Sequence, residues 1–431
     1  MKTVWILNHY AIEPGTAGIT RHFDLAVNLR HHGWQAIIIA SSVEHITGTQ
    51  RLSAHELHRQ ETYADVPFLW IRTPEYQGNG MRRILNMLTY TGRVLMPMYT
   101  KKLPKPDVII GSSAHPLTGL AGSLLAQRHR VPFIFEVRDL WPQTLIEFGR
   151  LRKGSLMARM LGKLERWLYQ CATRIIVVLP YAGDYIASLG IAREKAVWIP
   201  NGVNLSPSAC VVPPPAAASD YPSPTLPFVL MYFGAHGQAN GLVPLVHAMK
   251  LVADRVGTTA LTLRMIGNGP LKPELMELAQ SLGITNISFE PPVPKHTVPA
   301  LAAQADAFVI TILGLPGLYR YGISMNKIFD YLAAARPVVI ASNAANNPVH
   351  DAGAGLTVPP ADPERLADAI LQLFHTPQPE RLRMGEAGRR YVEEHHGSDR
   401  LAARLAATLE DCLIEAAQTT RQKNTRSVRI D

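Results

Sequence analysis

Ser324, Lys327 and Asp330 stand at the head of one helical stretch, residues 319–337, YRYGISMNKIFDYLAAARP. The spacing predicts a capping serine at the helix start, where unpaired N–H groups and about half a positive charge collect. Anions dock readily at such a terminus. Lys327 and Asp330 lie about one helical turn apart and therefore share a face. There the ammonium can meet a phosphate while the carboxylate accepts hydrogen bonds from sugar hydroxyls. The plainer alternative is a capped helix with a solvated charge pair.

Further loops carry chemistry of their own. Residues 9–21, HYAIEPGTAGITR, set Gly15, Thr16 and Gly18 between a first strand and a first helix. The glycines let backbone approach a ligand. GxGxxG is incomplete and no acid follows at the next strand end, which disfavours a dinucleotide fingerprint. EVRDLW, residues 136–141, puts Glu136, Arg138 and Asp139 at a strand end, where charges must pair or be used. Its plain reading is an internal pair of Arg138 with Glu136 or Asp139. YFGAHGQANGL (232–242) brings His236 and Gly237, and GNGP (267–270) brings Asn268 and Gly269. Each alone marks a turn; three such loops after strands, in the order of one crevice, say more. The 16 histidines include no HExxH, and no Walker or GxSxG pattern occurs. His31–His32 and His395–His396 read as helix ends.

Alternating strands and helices must position these loops. Apolar runs at 4–7, 36–40, 108–110, 133–137 and 174–179 read as strands, with helices at 20–31, 117–128 and 155–169. Continuous apolar runs suit strands buried on both faces, and their alternation with helices suits parallel sheets. The stretch 206–227, SPSACVVPPPAAASDYPSPTLP, cannot sustain a helix or a central strand. It reads as a linker or surface excursion. Strands at 228–232, 261–266, 287–289, 307–311 and 337–340, with helices at 243–256 and 272–281, restart the pattern. The expected organisation is a first α/β domain at 1–205, the linker at 206–227 and a second domain at 228–399. A helix at 400–417, placed to pack back on the first domain, and a basic, frayed tail at 418–431 follow.

With 431 residues the chain exceeds one ordinary core. Hydrophobic residues at 47% and charged ones at 18% describe a globular protein. A net charge of +9 favours anionic partners. Cys171, Cys210 and Cys412 are too dispersed for a disulfide framework or a cysteine metal site, and fit a reducing cytoplasm. The opening MKTVWILNHY reads as a strand, not a signal peptide. No apolar run is long enough to span a bilayer.

Two segments are basic and apolar at once. Residues 80–107 interleave Arg82, Arg83, Arg93, Lys101, Lys102 and Lys105 with Met81, Ile84, Leu85, Leu88 and Met98. Residues 150–166 hold Arg150, Arg152, Lys153, Arg159 and Lys163 against the acid Glu165. The pattern describes helices lying on an anionic membrane surface. A solvated face of a core helix or a nucleic-acid patch are the alternatives. Sequence-specific nucleic-acid motifs are missing, so no nucleic acid is expected.

EVRDLWP (136–142), IPNGVN (199–204), GAHGQANGL (234–242), IGNGP (266–270) and GISMNKIFDYLAAARPVV (322–339), in this order, resemble a retaining glycosyltransferase of family 4. The likeness runs over nearly the whole chain. Among the branches it looks most like the N-acetylfucosaminyltransferase-like enzymes of bacterial polysaccharides. The resemblance implies the GT-B fold, two Rossmann-like α/β domains facing each other across a cleft. The nucleotide-sugar donor would lie on the second domain and the acceptor on the first. It implies a hexosyltransferase-type enzyme with no cofactor and no metal. A sugar, N-acetylated or not, would pass with retention from a UDP-linked donor to a lipid-linked, oligosaccharide or polysaccharide acceptor. The setting implied is lipopolysaccharide or capsule biosynthesis, in the cytoplasm, peripheral on the inner face of the cell membrane.

Residue by residue, Asp330 takes the place of the family's second acid, which binds the ribose. The first acid falls at Gly322, which has no carboxylate. The family's Arg/Lys diphosphate clamp falls at Ala235 and Asn240, both uncharged, leaving Lys327, Arg320 and His236 as replacements. Arg138, followed by Asp139, stands where the family has an active-site histidine. The implied catalytic set is Arg138, Asp139 and Lys327. The implied donor-binding set is Gly15, Thr16, His236, Gly237, Asn268, Gly269, Val293, Arg320, Gly322, Ser324, Asn326 and Asp330. The competing readings are a UDP-sugar epimerase of similar fold and a non-catalytic nucleotide-sugar or nucleic-acid binder, since fold does not dictate function.

Overall fold

A computed structural model describes residues 1–16, 18–45, 47–78, 80–205 and 227–427, with side chains to residue 418. The expected linker, 206–227, falls outside the described residues except for Pro227. The chain divides into two compact units. Unit 1 takes in Met1–Pro14, Gly18–Pro200 and Ser398–Asp431; unit 2 takes in Gly15–Ala17 and Asn201–Gly397.

Unit 1 is built on β1 (Lys2–Leu7), β2 (Trp34–Ser41), β3 (His58–Tyr63), β4 (Val66–Ile71), β5 (Val108–Ser112), β6 (Phe133–Val137), β7 (Arg174–Val177) and β8 (Ala196–Trp198). Their order across the sheet is β3-β4-β2-β1-β5-β6-β7-β8. All neighbours are parallel except β3 and β4. β5 and β6 are buried at every position, as strands covered on both faces must be. The sequence reading omitted the β3–β4 hairpin. Its two-residue turn uses Ala64 and Asp65 at φ 42° and 62°, without the glycine that usually signals such a turn.

One face of this sheet carries the helices Met81–Leu95, Pro116–His129 and Leu156–Cys171, the second packing against both others. Close approach there needs glycine: a Cβ on Gly119 would stand 2.5 Å from the Phe135 ring. The outer surface of this layer exposes Met81, Ile84, Leu85, Leu88, Leu124, Leu156, Met157 and Met160. The helices Arg21–Leu29 and Ser398–Ser427 pack together elsewhere in the unit. Leu401, Leu405, Leu409 and Cys412 share a core cluster with Val4, Ile6, Phe23 and Ile38. This last helix runs well beyond the expected 400–417, because QTTRQKNTRS holds no glycine or proline to stop it. Among the described residues no helix is long and apolar enough to cross a membrane.

Unit 2 holds β9 (Phe228–Phe233), β10 (Leu261–Ile266), β11 (Ile287–Glu290), β12 (Ala307–Thr311), β13 (Val338–Ala341) and β14 (Gly355–Val358). They form a parallel sheet in the order β11-β10-β9-β12-β13-β14. The helices Val243–Val256 and Lys272–Ser281 fall where the periodicity predicts them. Strand order reverses beside β1 in unit 1 and beside β9 in unit 2. Loops at the carboxyl ends of the strands open there, the usual ligand position in such sheets.

Candidate functional site

In unit 2 the loop leaving β9 is fastened on two sides. Thr311 Oγ1 donates to the Asn240 carbonyl at 2.6 Å, and Leu313 N donates to the Ala239 carbonyl at 3.3 Å. On the other side His236 N donates to the Asn268 carbonyl at 2.9 Å, and Leu271 N donates to the His236 carbonyl at 3.0 Å. The two glycine loops thus clasp each other. A Cβ on Gly269 would lie 2.5 Å from the His236 carbonyl oxygen. Gly237 opens the short turn Gln238–Asn240 that brings Asn240 back over the strand ends.

The helix Asn326–Ala333 starts beside this loop. Its N-cap is Met325, with no side-chain cap. The expected capping role of Ser324 is therefore corrected. Ser324 is buried in the extended lead-in, where its hydroxyl accepts from Asn201 N at 2.9 Å and its carbonyl accepts from Asn201 Nδ2. Gly322 turns that lead-in at φ +95°, and Asn346 Oδ1 accepts from Ile323 N at 2.6 Å.

Lys327 and Asp330 do not act as a pair. Lys327 Nζ donates to Tyr232 Oη and Asn240 Oδ1, both at 2.7 Å, and sits 4.3 Å from the centre of the Tyr232 ring. Asp330, about a turn later, accepts from Lys295 Nζ at 2.6 Å on both carboxylate oxygens. The helix carries Lys327 towards the β9 loop and Asp330 towards the turn Lys295–Thr297, which separates them. Burial lowers the Lys327 ammonium to about 7. Among the described residues Lys327 has no carboxylate partner.

Nearby cations are otherwise engaged. Lys272 Nζ donates to the Gly267 and Glu290 carbonyls at 2.9 and 2.6 Å, stapling β10 to β11. Arg320 is exposed and donates to Tyr321 Oη at 2.5 Å. The His236 ring is fully buried, near Tyr232 and Phe289, and among the described residues neither nitrogen makes a well-formed hydrogen bond. Burial, then Lys272 and Lys327, depress it to about 4. Asn326 is the first residue of the helix, and half-buried Val293 follows β11 just before Lys295.

In unit 1 the residues at the end of β6 divide differently from expectation. Arg21 Nε donates to Glu136 Oε1 at 3.0 Å, and His22 Nε2 lies 2.6 Å from Glu136 Oε2. Glu136 thus receives a bond on each oxygen from the first helix, so its hydrogen-bonded partners are Arg21 and His22 where one plain reading offered Arg138. Arg138 N donates to Ser113 Oγ at 2.8 Å. Protein packed around Asp139 raises its carboxyl above the usual range, against the pull of Arg138. Beside β1, His9 Nδ1 lies 2.5 Å from His115 Nε2, and His9 Nε2 lies 2.5 Å from Asn86 Oδ1. Gly15 and Thr16 follow β1 in the chain.

The sequence reading missed Tyr232, Lys295 and Asn201 as partners of the site. A lone lysine in PVPKHTVP carries no local signal, because its partner is 35 residues away. Among the described residues no group of three or more His, Cys, Asp or Glu is arranged to hold a metal ion.

Residues 17–202 match the family model for the glycosyl transferase 4-like domain, and residues 227–376 match that for glycosyl transferases group 1. One curated relative is the Escherichia coli K12 protein named "Putative colanic acid biosynthesis glycosyl transferase WcaI", 23% identical over 268 residues. That match spans 61% of this chain and 64% of the relative's length. Among solved structures, sucrose-phosphate synthase from Thermosynechococcus elongatus superposes with a TM-score of 0.67 at 17% identity, covering 99% of this chain and all of that one. Anabaena HepE in complex with UDP-glucose gives 0.63 at 14% identity, covering 95% of this chain and 100% of that one. These likenesses show the fold: two Rossmann-like α/β units of the GT-B kind, as the motifs implied.

Proposed function

The chain belongs to the glycosyltransferases whose 4-like and group 1 domains it carries in series, and we propose on that premise that unit 2 binds a nucleotide-diphosphate sugar, UDP-linked, through Lys327. The observation that carries the reading is the Lys327 ammonium, held by two neutral oxygens and, among the described residues, by no carboxylate. It reaches Asn240, one of the two positions where the resemblance calls for a clamp cation. A charge so placed, with an uncapped helix start beside it, is preorganised for the negative charge that grows on a departing diphosphate.

His236, Gly237, Asn268, Gly269, Val293, Gly322, Ser324, Asn326 and Asp330 complete the donor surface in this reading, with Arg320 at its margin. Gly15 and Thr16 belong to the same donor-binding set, and Arg138 and Asp139 are the catalytic residues the resemblance implies in unit 1. The acceptor hydroxyl attacks the anomeric carbon on the face the diphosphate leaves, the C–O bond to phosphate breaks, and the hydroxyl proton passes to the leaving phosphate. Configuration is retained, and the positive charge of Lys327 does the work that a metal does in other transferases. The sugar, N-acetylated or not, is one of the class the resemblance to N-acetylfucosaminyltransferase-like enzymes implies.

A lipid-linked acceptor in surface polysaccharide synthesis fits the exposed apolar residues of the three-helix layer in unit 1 and the cations beside them. The name of the E. coli relative lies in the same field. The enzyme then works at the inner, anionic face of the cell membrane. The deciding experiment measures binding of UDP-sugars by calorimetry, and transfer to a lipid-linked acceptor, for wild type and K327A. Loss of both in a folded K327A protein supports the reading; near-normal turnover overturns it. Product formed without any acceptor would point to an epimerase.

A further inference from the structure

We infer that Lys295 is a positioning residue that fixes the Asp330 carboxylate so that it selects a ribose 2′,3′-diol in the nucleotide donor. The inference rests on the donor reading above and adds to it a residue that neither the sequence motifs nor the resemblance marks.

The Asp330 carboxylate receives two N–H bonds of 2.6 Å from one ammonium, one on each oxygen. Such a fork leaves little freedom of rotation to a short side chain. An ionised carboxylate has about four lone-pair positions. Lys295 takes two, which leaves one acceptor position on each oxygen. Two acceptors side by side match the two hydroxyl hydrogens of a cis-diol. A 2′-deoxyribose supplies only one and leaves an acceptor unpaired. Lys295 also keeps a third N–H to offer the ligand.

Two features argue against a merely structural ion pair. The Lys295 and Asp330 side chains are 28% and 15% exposed, so the pair is only half-buried and stays within reach of a ligand. Asp330 is also the only carboxylate in GISMNKIFD, since Gly322 stands at the first acidic position, so hydroxyl recognition by a carboxylate in that segment falls to it alone. Lys295 further divides the cations of unit 2. Its charge is spent on Asp330, whereas Lys327 has no carboxylate partner among the described residues.

The test uses the full chain and measures affinities for UDP, GDP, their 2′-deoxy counterparts and inorganic pyrophosphate. Wild type should prefer the ribonucleotide by about tenfold or more, as a lost bond to a charged acceptor demands. K295M, which keeps the apolar stem, should cut that preference to about threefold or less, and K295R should restore most of it. D330N should match K295M, and the double variant should lose no more than either, because the two residues act as one unit. Pyrophosphate affinity should change by less than about fivefold in K295M and collapse in K327A. An equal affinity of wild type for ribo- and deoxynucleotide overturns the inference and leaves the donor reading standing. So does a K295M protein that discriminates like wild type. A wild-type protein that binds no nucleotide overturns both.

Discussion

Arg21 and Glu136 form a closed ion pair inside unit 1, with Nε and Oε1 3.0 Å apart and both side chains 3% exposed. The same guanidinium donates to the carbonyls of Ile199 and Pro200, so one residue ties the first helix, the end of β6 and the close of the unit's first pass together. Burial alone would raise the Glu136 carboxyl, but His22 and Arg21 hold it well below its usual range. Removing one partner of such a pair strands the other. E136Q and R21M should each destabilise unit 1 by about 3 kcal/mol in urea unfolding, and the double variant by less than the sum. Because the folded carboxyl is depressed, its contribution is complete above the unfolded value near 4.3 and disappears as pH falls through the folded one. A cost below about 1 kcal/mol for E136Q would contradict this account.

Lys327 sets a pH dependence at the proposed donor site. Its folded value of about 7 lies below that of an unfolded lysine. The ligand-free protein should therefore gain stability as pH rises from about 7 towards 10. Ligand binding runs the other way, since the charged form is the one a diphosphate needs. Affinity for a UDP-sugar, whose diphosphate does not titrate in this range, should be flat below pH 7 and fall by up to about tenfold per pH unit above it. K327R should flatten the profile between pH 6 and 9. Calorimetry in buffers of different ionisation enthalpy should register proton uptake on binding near pH 8. A flat wild-type profile would remove Lys327 from the phosphate.

Gly269 tests whether the two glycine loops act as one support. G269A would drive a methyl into the main chain of His236, with its carbonyl carbon at 2.6 Å and its nitrogen at 2.8 Å. Backbone cannot yield as a side-chain tip can, so about 2 kcal/mol of stability should be lost. UDP-sugar affinity should weaken at the same time, because the shifted loop carries Asn240 and hence Lys327. Thermal unfolding and calorimetry on one preparation would check both. Full affinity in a destabilised G269A would show the loops to be independent.

The helical layer of unit 1 predicts vesicle binding. Met81, Leu85 and Leu88 are each more than half exposed, and Arg82, Lys101 and Lys102 are also exposed. The protein should co-sediment with phosphatidylglycerol vesicles and not with phosphatidylcholine, and salt should release it. R82E/K101E/K102E should weaken partitioning by about a hundredfold or more, at about 1 kcal/mol per cation near the surface. Its UDP affinity should not change. Equal binding of wild type and triple variant would exclude this face.

Much of the architecture was legible because it is written in local pattern. The apolar runs of β1, β5, β9 and β12 and the periodicity of Val243–Val256 need no distant partner to be read. The β3–β4 hairpin was not legible, since Ala64 and Asp65 occupy glycine-type conformations on the strength of the strands they join. The site divides the same way. Glycines and a helix start marked the candidate loops, but the partners inside them were hidden. Tyr232 and Asn240 meet Lys327 across 95 and 87 residues, and Lys295 meets Asp330 across 35. Spacing on one helix suggested that Lys327 and Asp330 would cooperate. The competing attractions of two loops pulled them apart.

Unit 2 is an insertion in unit 1, whose chain resumes only at Ser398. A nascent chain can close the second sheet while the first still lacks Leu401, Leu405 and Leu409. The half begun last in the linear order can then be finished first, since the final helix belongs to the unit begun first. A premature stop just after Gly397 would leave unit 2 whole and strip unit 1 of part of its interior. Chaperone capture of such stalled products should follow the open amino-terminal portion.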